Sequence, residues 1–296
     1  MTIELNNQIL RLQVVPEIGG SIVDFSVHHA NQWIPIMRRG ENPLSKSSNA
    51  SSFLLIPYSN RLRDGQFSFQ GKEYQLRDPE KHAIHGDVRD RSLTVTEQTD
   101  HRIRMTFNST DVPDMNFPFP FSATLTYSLE ESTLWSEIEL TNIGQEAMPA
   151  GCGYHPYFNR RIHGSTGEVE LQVKVRGVYP GETPLPTGPA IPISSEQDFS
   201  TQRPLDVVLD HCFAGWDREA VIEWPGSGIK ARFQADPGLE HIIVYSPAGE
   251  DFFAVEPVTN ANDGFNLFAK GDKNCGVVVL EPGETLKARF SINIER

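Results

Sequence analysis

The chain contains little cysteine and no long apolar run. Its 296 residues include three cysteines, Cys152, Cys212 and Cys275, which are too few and too scattered for a disulfide framework. Because no apolar run approaches the length of a membrane-spanning helix, we expect no transmembrane segment. The N-terminus has no basic region followed by an apolar stretch. We therefore expect no signal peptide and a cytoplasmic protein.

Positive charge is scarce relative to negative charge. Lysine and arginine number 26 against 39 aspartates and glutamates, which gives a formal net charge of -13 and a pI of about 5.1. Nucleic acid and anionic membranes repel such an acidic protein. The sequence therefore predicts neither of them as a partner.

Helical periodicity is also missing, because no stretch keeps it over three turns. Alternation of apolar and polar residues is frequent instead, and it is unbroken over 286–294. Residues 67–76 alternate on both sides of Gln70-Gly71, which is a hairpin pattern. The proline-rich stretch 179–204 predicts a long loop. Many short strands at close spacing predict an all-β fold, a sandwich or barrel of antiparallel sheets. No linker clearly splits the chain, so we expect a single domain over residues 1–296.

The segment 151–159 reads Gly-Cys-Gly-Tyr-His-Pro-Tyr-Phe-Asn and places one titratable side chain, His155, among aromatic rings. Pro156 disfavours the helical region for His155 and holds it extended. Such a histidine suits proton transfer and sugar stacking. A core histidine that hydrogen-bonds a backbone carbonyl would have the same local sequence, so this motif leaves both interpretations open.

Two further clusters lie in the first third of the chain. Just before the predicted hairpin, Asn60 offers a side-chain amide and Arg61 offers the several N–H donors of its guanidinium. An ordinary polar loop would have the same composition. His82 and His85, three residues apart, have the spacing of metal ligands. No cysteine or carboxylate lies at a matching ligand spacing, so we expect no metal site.

A basic run follows the second histidine. Arg89-Asp90-Arg91 is a local concentration of arginine in an acidic chain. Exposed Arg–Asp pairs are common and weak, and a solvated surface pair is the interpretation that we favour. The alternative is a contact with an anionic substituent of a sugar.

Carboxylates mark the second half of the chain. Asp210 lies close to aromatic residues in the sequence. In such a combination the carboxylate hydrogen-bonds sugar hydroxyls, and the rings pack against the apolar faces of the sugar. Glu256 ends an apolar strand, where a carboxylate is either satisfied by donors or held ready as a base. Glu281 has the same Glu-Pro context, but Pro282-Gly283 marks a tight turn, and we expect it to open a closing hairpin.

Motifs of other chemistries are missing. No glycine-rich phosphate loop follows a strand and opens a helix, and no Gly-x-Ser-x-Gly elbow is present. Catalysis by a serine or cysteine nucleophile therefore has no support. A histidine and a glutamate with polar and aromatic partners remain.

Taken in order, these motifs resemble those of the aldose 1-epimerases, also called galactose mutarotases. The resemblance rests on Asn60-Arg61 with Gly65, His85-Gly86, His155 to Asn159, Asp210 with Phe213, and Glu256-Pro257. Many relatives carry a second glycine after the histidine–glycine pair, where this chain has Asp87. That departure is more typical of a bacterial branch with varied sugar specificity.

The resemblance implies a large antiparallel β-sandwich of the galactose mutarotase-like type, with a monosaccharide as substrate. It implies His155 as general acid and Glu256 as general base in the opening and closing of the sugar ring, with no cofactor and no metal. It also implies that the sugar hydroxyls are held by Asn60, Arg61, His85 and Asp210.

Two other functions remain compatible with the residues themselves. A glycoside hydrolase could use two carboxylates such as Asp210 and Glu256, which would have to flank the scissile bond at a defined separation. A non-catalytic sugar-binding module would keep Asn60, Arg61 and the aromatic residues. Such a module would not need His155 and Glu256 together.

Overall fold

The computed structural model describes residues 1–77, 82–181 and 184–296 and is nearly all β. In chain order its first strands are β1 (Ile3–Asn6), β2 (Leu10–Val15), β3 (Ser21–His29), β4 (Gln32–Pro35), β5 (Leu54–Leu55), β6 (Arg61–Leu62), β7 (Gln66–Phe69), β8 (Lys72–Gln75), β9 (Ala83–Ile84), β10 (Thr94–Gln98), β11 (Arg102–Asn108), β12 (Phe121–Glu130) and β13 (Thr133–Asn142). They are followed by β14 (Met148–Ala150), β15 (Gly153–Tyr154), β16 (Tyr157–Asn159), β17 (Glu170–Val173), β18 (Gly177–Val178), β19 (Phe199–Pro204), β20 (Leu209–Ala214), β21 (Glu219–Trp224), β22 (Ile229–Ala235), β23 (His241–Ser246), β24 (Phe252–Val258), β25 (Val278–Leu280) and β26 (Thr285–Glu295).

Helices are short throughout the described ranges. The α-helix α1 (Gly264–Ala269) has six residues, and 3-10 turns cover Ser47–Asn49, Arg63–Gly65, Ser109–Asp111 and Ser195–Gln197. Among the described residues, no helix has both the length and the apolar character needed to cross a membrane.

The largest sheet has nine strands in the order β10-β11-β12-β13-β26-β22-β21-β17-β19. At its centre, β26 pairs antiparallel with both β13 and β22. The alternation over 286–294 explains this position, because Leu286, Ala288, Phe290 and Ile292 are buried on one face. The strand that the sequence marks most clearly is thus a central one.

The second large sheet has the order β18-β20-β23-β24-β15-β5, with β16 also paired to β24. Aromatic rings pack it against the nine-stranded sheet. The ring centroids of Phe158 and Phe233 are 5.6 Å apart, and those of Tyr154 and Phe290 are 4.7 Å apart. Since these contacts join the inner faces of two antiparallel sheets, the predicted β-sandwich is confirmed.

Smaller sheets complete the fold. Strands β1 to β4 form a four-stranded sheet, and β14-β25, β6-β9 and β7-β8 are two-stranded. The β7-β8 ladder runs from Gln66↔Gln75 to Phe69↔Lys72, so the hairpin predicted over 67–76 is confirmed.

Two expectations about local structure are wrong. The predicted loop over 179–204 includes strand β19 at the edge of the nine-stranded sheet, where proline is tolerated because the outer side of an edge strand needs no donors. Glu281 lies in a tight turn, as the sequence predicts, but this turn does not close a hairpin. Strand β25 before it pairs with β14, whereas β26 after it pairs with β13 and β22.

Candidate active site

The seven-stranded sheet buries both of its faces, and one of them carries the site. Along β24, Phe253 and Val255 belong to the core between the sheets, whereas Ala254 and Val258 belong to a second apolar cluster on the opposite face. Glu256 shares this opposite face, because successive side chains of a strand alternate. It lies two residues before the end of β24, and its side chain is 2% exposed.

The register of the three central strands brings a second carboxylate to this face. Asp210 on β20 pairs with Tyr245 on β23, and Ile243 on β23 pairs with Glu256. Paired residues of antiparallel strands project to the same side. The two carboxylates are therefore diagonal neighbours across β23.

His155 lies between the short strands β15 and β16 and donates its backbone N–H to the carbonyl of Phe53, at 2.9 Å. Its ring stacks on Phe53, with centroids 4.7 Å apart, and lies 4.4 Å from the ring of Tyr157. This arrangement agrees with the extended, ring-flanked histidine that the sequence predicts. The guanidinium of Arg38 covers the outer side of Tyr157, at 3.5 Å from the ring centroid.

The general acid and base that the resemblance implies are in direct contact. Nε2 of His155 lies 3.3 Å from Oε1 of Glu256. Burial, followed by the charge of Arg38, lowers the pKa of His155 to about 3. Burial, followed by the charge of Asp210, raises the pKa of Glu256 well above its ordinary value. The protein alone therefore favours the uncharged forms of both groups.

Asn60 and His85 come together through an unusual backbone arrangement. Both have a left-handed backbone, with φ of 51° and 61°, and the N–H of His85 donates to the carbonyl of Asn60 at 2.8 Å. Gly86 continues the turn at φ 72°, and a Cβ there would lie 1.8 Å from the carbonyl oxygen of Ile56. Left-handed residues other than glycine are uncommon and cluster at functional sites.

One cleft of about 300 Å³ contains all six residues that the sequence singles out. Its lining includes Asn60, Arg61, His85, His155, Asp210 and Glu256. Ser48, Phe53, Ile84, Tyr157 and Tyr245, which the sequence did not assign to the site, line the same cleft, and so does Arg89, for which a sugar contact was the less favoured of two interpretations. Tyr245 and Phe53 carried no signal in the sequence, because their place in the cleft depends on strand register and on the ring stack.

The cleft presents buried polar atoms without protein partners. In the described parts of the chain, Nδ1 of His85, Nδ1 of His155 and Oε2 of Glu256 accept or donate no hydrogen bond. Buried polar groups in proteins are rarely left unsatisfied. All three atoms belong to residues that line the cleft.

The two histidines with metal-like spacing diverge in space. His85 points into the cleft, whereas Nδ1 of His82 accepts the N–H of Asp64 at 3.0 Å. Within residues 1–77, 82–181 and 184–296, no three histidine, cysteine, aspartate or glutamate side chains form a group that could hold a metal ion.

Comparison with known proteins matches this architecture to one family. The family model for aldose 1-epimerase matches residues 1–293. The chain is 27% identical over 273 residues to the uncharacterized protein YphB of Escherichia coli (strain K12), covering 88% of this chain and 89% of the relative. It is 26% identical over 155 residues to the galactose mutarotase of Pongo abelii, covering 50% of this chain and 44% of that protein.

Solved structures agree with the fold. A galactose mutarotase-like protein from Clostridium acetobutylicum superposes with a TM-score of 0.87 at 21% identity, covering 100% of this chain and 95% of its own. The family match over nearly the whole length and the shared β-sandwich lead to one assignment. This chain belongs to the aldose 1-epimerase family.

Proposed function

We propose that this protein is an aldose 1-epimerase, which interconverts the α and β anomers of an aldose. The observation that carries the proposal is the contact between His155 and Glu256, 3.3 Å apart on the wall of a cleft lined with hydrogen-bonding groups. Anomer exchange requires one group that gives a proton and one that accepts a proton, held on the same sugar. A buried histidine–glutamate pair supplies both.

Ring opening moves two protons and breaks one bond. Glu256 accepts the proton of the C1 hydroxyl while His155 donates a proton to the ring oxygen O5. The C1–O5 bond breaks, C1 becomes an aldehyde carbon, and O5 becomes a hydroxyl. Each positioned proton transfer typically contributes about 10²–10⁴-fold to the rate.

Ring closure resets the pair. The aldehyde rotates about C1–C2, and O5 attacks its other face. His155 now takes the proton from O5, and Glu256 returns its proton to the oxygen on C1. Both side chains recover their starting protonation, so the enzyme needs no further reactant.

The sugar itself prepares the pair for this reaction. Ring opening in this proposal needs one proton on the pair, and burial favours its place on Glu256, because burial disfavours both charged forms. A sugar hydroxyl that donates to Oε2 of Glu256 stabilises the carboxylate. That hydrogen bond favours transfer of the proton to His155 across their contact, which gives the acid and base that ring opening needs.

The remaining site residues hold the hydroxyls in this proposal. Asn60 supplies a donor from the left-handed turn and Arg61 from the strand β6 that follows it, His85 offers the unsatisfied Nδ1, and Asp210 accepts from strand β20. Because these groups lie on strands and on a turn fixed by backbone hydrogen bonds, they are in place before the sugar binds.

Anomer exchange of freshly dissolved α-glucose or α-galactose, followed by polarimetry or by exchange of the anomeric proton signals, tests the proposal. The enzyme should accelerate the approach to equilibrium in proportion to its concentration. Sugar binding without acceleration would indicate a binding module. Release of sugar from a glycoside would indicate a hydrolase that uses Asp210 and Glu256.

A further inference from the structure

Arg38 lies behind the wall of the cleft and is held there by backbone carbonyls. Its Nε donates to the carbonyl of Ala50 at 3.1 Å, and its Nη2 donates to that of Ser48 at 2.7 Å. Its backbone N–H donates to the carbonyl of Tyr157 at 3.0 Å. Ser48 and Tyr157 line the cleft, whereas Arg38 is not among the lining residues. Arg38 therefore joins two parts of the cleft wall without a direct place at the sugar.

The guanidinium of Arg38 packs on an aromatic ring that in turn packs on the proposed acid. Its Cζ lies 3.5 Å from the ring centroid of Tyr157 and 4.6 Å from that of Phe252. The ring of Tyr157 lies 4.4 Å from that of His155, and the two are tilted by 35°. A cation over an aromatic ring is attracted to it, and more strongly where water is excluded. The position of the imidazole therefore depends on a ring that Arg38 holds.

The charge of Arg38 acts on His155 as well. An arginine stays protonated in proteins, so this charge is permanent. Burial lowers the pKa of His155 most, and among the charged side chains Arg38 has the largest effect, ahead of Arg89 and Arg61. Both of those arginines line the cleft. A cation outside the cleft lining thus affects the imidazole more than the two within it.

Other charged or titratable side chains surround the imidazole, and they come from several segments of the chain. They are Arg61, Arg89, His85, Tyr157 and Glu256, all of which line the cleft. Of these six side chains, Arg38 alone can be changed without removing a group from the cleft.

These contacts matter for the proposed function, on which this step rests, because His155 must face O5 of the sugar and hold a proton while Glu256 is ionised. We propose that Arg38 is a positioning residue for this reaction. Its guanidinium holds the ring of Tyr157 against the imidazole, and its charge opposes a second positive charge nearby. A protonated imidazole close to Arg38 therefore gives its proton to O5 more readily.

Arg38→Gln removes both the planar guanidinium and its charge. Anomer exchange of glucose at several pH values, after subtraction of the uncatalysed rate, measures the result. We expect kcat to fall about 10- to 100-fold, because a misplaced imidazole no longer lies in line with O5. KM should stay within a few-fold, because Arg38 does not line the cleft.

The pH profile of kcat reports the charge separately. The active pair of His155 and Glu256 carries one proton in the proposed reaction, so activity is lost when a second proton binds at low pH or when the one proton leaves at high pH. Loss of a nearby positive charge makes both protonations easier. Both limbs of the profile should therefore move to higher pH in Arg38→Gln.

Arg38→Lys separates position from charge. The ammonium group keeps the positive charge, but it lacks the planar face and the fork of donors that reach Ser48 and Ala50. The limbs of the pH profile should stay close to those of the wild type. The value of kcat should still fall, but by less than in Arg38→Gln.

Arg289 provides a matched control. Its guanidinium packs on Trp135, 3.8 Å from the ring centroid, and pairs with Glu137 at 3.8 Å. These residues lie on strands β26 and β13 of the nine-stranded sheet and do not line the cleft. Arg289→Gln removes a comparable contact between an arginine and an aromatic ring, so it should leave kcat and its pH profile unchanged.

A folded Arg38→Gln enzyme with nearly wild-type kcat overturns the positioning role, and limbs that do not move overturn the role of the charge. If Arg38→Gln does not fold, nearly wild-type kcat in Arg38→Lys overturns the proposal. Each of these results leaves the epimerase activity of the wild type standing. A wild-type protein that does not exchange anomers would instead reject the proposed function, and this proposal with it.

Discussion

The side chains of His155 and Glu256 meet with Nε2 and Oε1 3.3 Å apart, and both are almost fully buried. The sequence separates these residues by about a third of the chain, and the seven-stranded sheet brings them together. Burial lowers the pKa of His155 to about 3 and raises the pKa of Glu256 well above its ordinary value, so the protein by itself disfavours the charged form of each.

Glu256 and Glu281 have the same Glu-Pro context, and substitution should distinguish them. Glu256→Gln keeps the shape but cannot accept the C1 hydroxyl proton, so kcat should fall about 10²–10⁴-fold. Glu281 is exposed in a turn outside the cleft lining, so Glu281→Gln should keep kcat within a few-fold. Anomer exchange kinetics and melting curves on both variants provide the measurement.

The assignment of the base would be overturned by a Glu256→Gln enzyme with nearly wild-type kcat. A folded but inactive Glu281→Gln enzyme would contradict it equally.

Stability should depend on pH through the buried histidines. The folded-state pKa values of His155 and His85 lie below the ordinary value of 6.5, so the unfolded chain binds more protons as pH falls below 6.5. Each histidine then destabilises the fold by roughly 1.4 kcal/mol per pH unit. Glu256 acts in the opposite direction, because its raised pKa makes the folded state bind the extra proton above pH 4.5. Between about pH 4.5 and 6.5 the two histidines therefore lower the stability as pH falls, whereas Glu256 raises it.

Urea unfolding at several pH values across this range measures how the free energy of unfolding changes with pH. His85→Asn should make the loss of stability with falling pH less steep, because a group with a lowered pKa is removed, and asparagine tolerates the left-handed backbone at this position. Glu256→Gln should make this loss steeper, because the opposing group is lost. A slope that neither variant changes would show that other groups govern the acid sensitivity.

Gly86 and Gly71 form a matched pair for the turn that presents His85. Both have a left-handed backbone, with φ of 72° and 76°, but a Cβ would clash with Ile56 at Gly86 and meet nothing within 4 Å at Gly71. Gly71→Ala should therefore cost about 1–2 kcal/mol from the backbone conformation alone. Gly86→Ala should cost at least about 2 kcal/mol more and lower kcat/KM, because the turn has to move.

Chemical denaturation and anomer exchange on both alanine variants decide this point. Equal stability losses for the two alanine variants would mean that the turn at Gly86 accommodates a Cβ without cost. The position of His85 would then not depend on the close packing of Gly86 against Ile56.

Activity should survive chelation. The residues of the cleft include His85, His155, Asp210 and Glu256, but no described group of three such side chains has the geometry to hold a metal ion. Anomer exchange measured before and after dialysis against EDTA should give the same kcat. A loss that a divalent ion restores would require a metal site that the proposed mechanism does not contain.

Much of the fold followed from the alternation of side chains. The period of two over 286–294 and the turn at Gln70-Gly71 identified β26 and the β7-β8 hairpin, because both signals are local. Strand β19 was missed, because prolines and polar residues are tolerated at an edge that packs on one side only. The hairpin expected at Glu281 is absent, because β25 and β26 pair with distant strands and not with each other.

For the site, the sequence by itself determined the chemical types: a histidine held extended by Pro156, a glutamate in an apolar strand, and polar groups near turns. The tertiary structure decided which of these groups meet. Register across β20, β23 and β24 put Asp210 and Glu256 on one face, and the left-handed turn at Asn60 and His85 is stabilised by contacts from distant segments. Arg89 lines the same cleft, and its backbone packs against Gly19, a contact between residues 70 positions apart that no local pattern encodes.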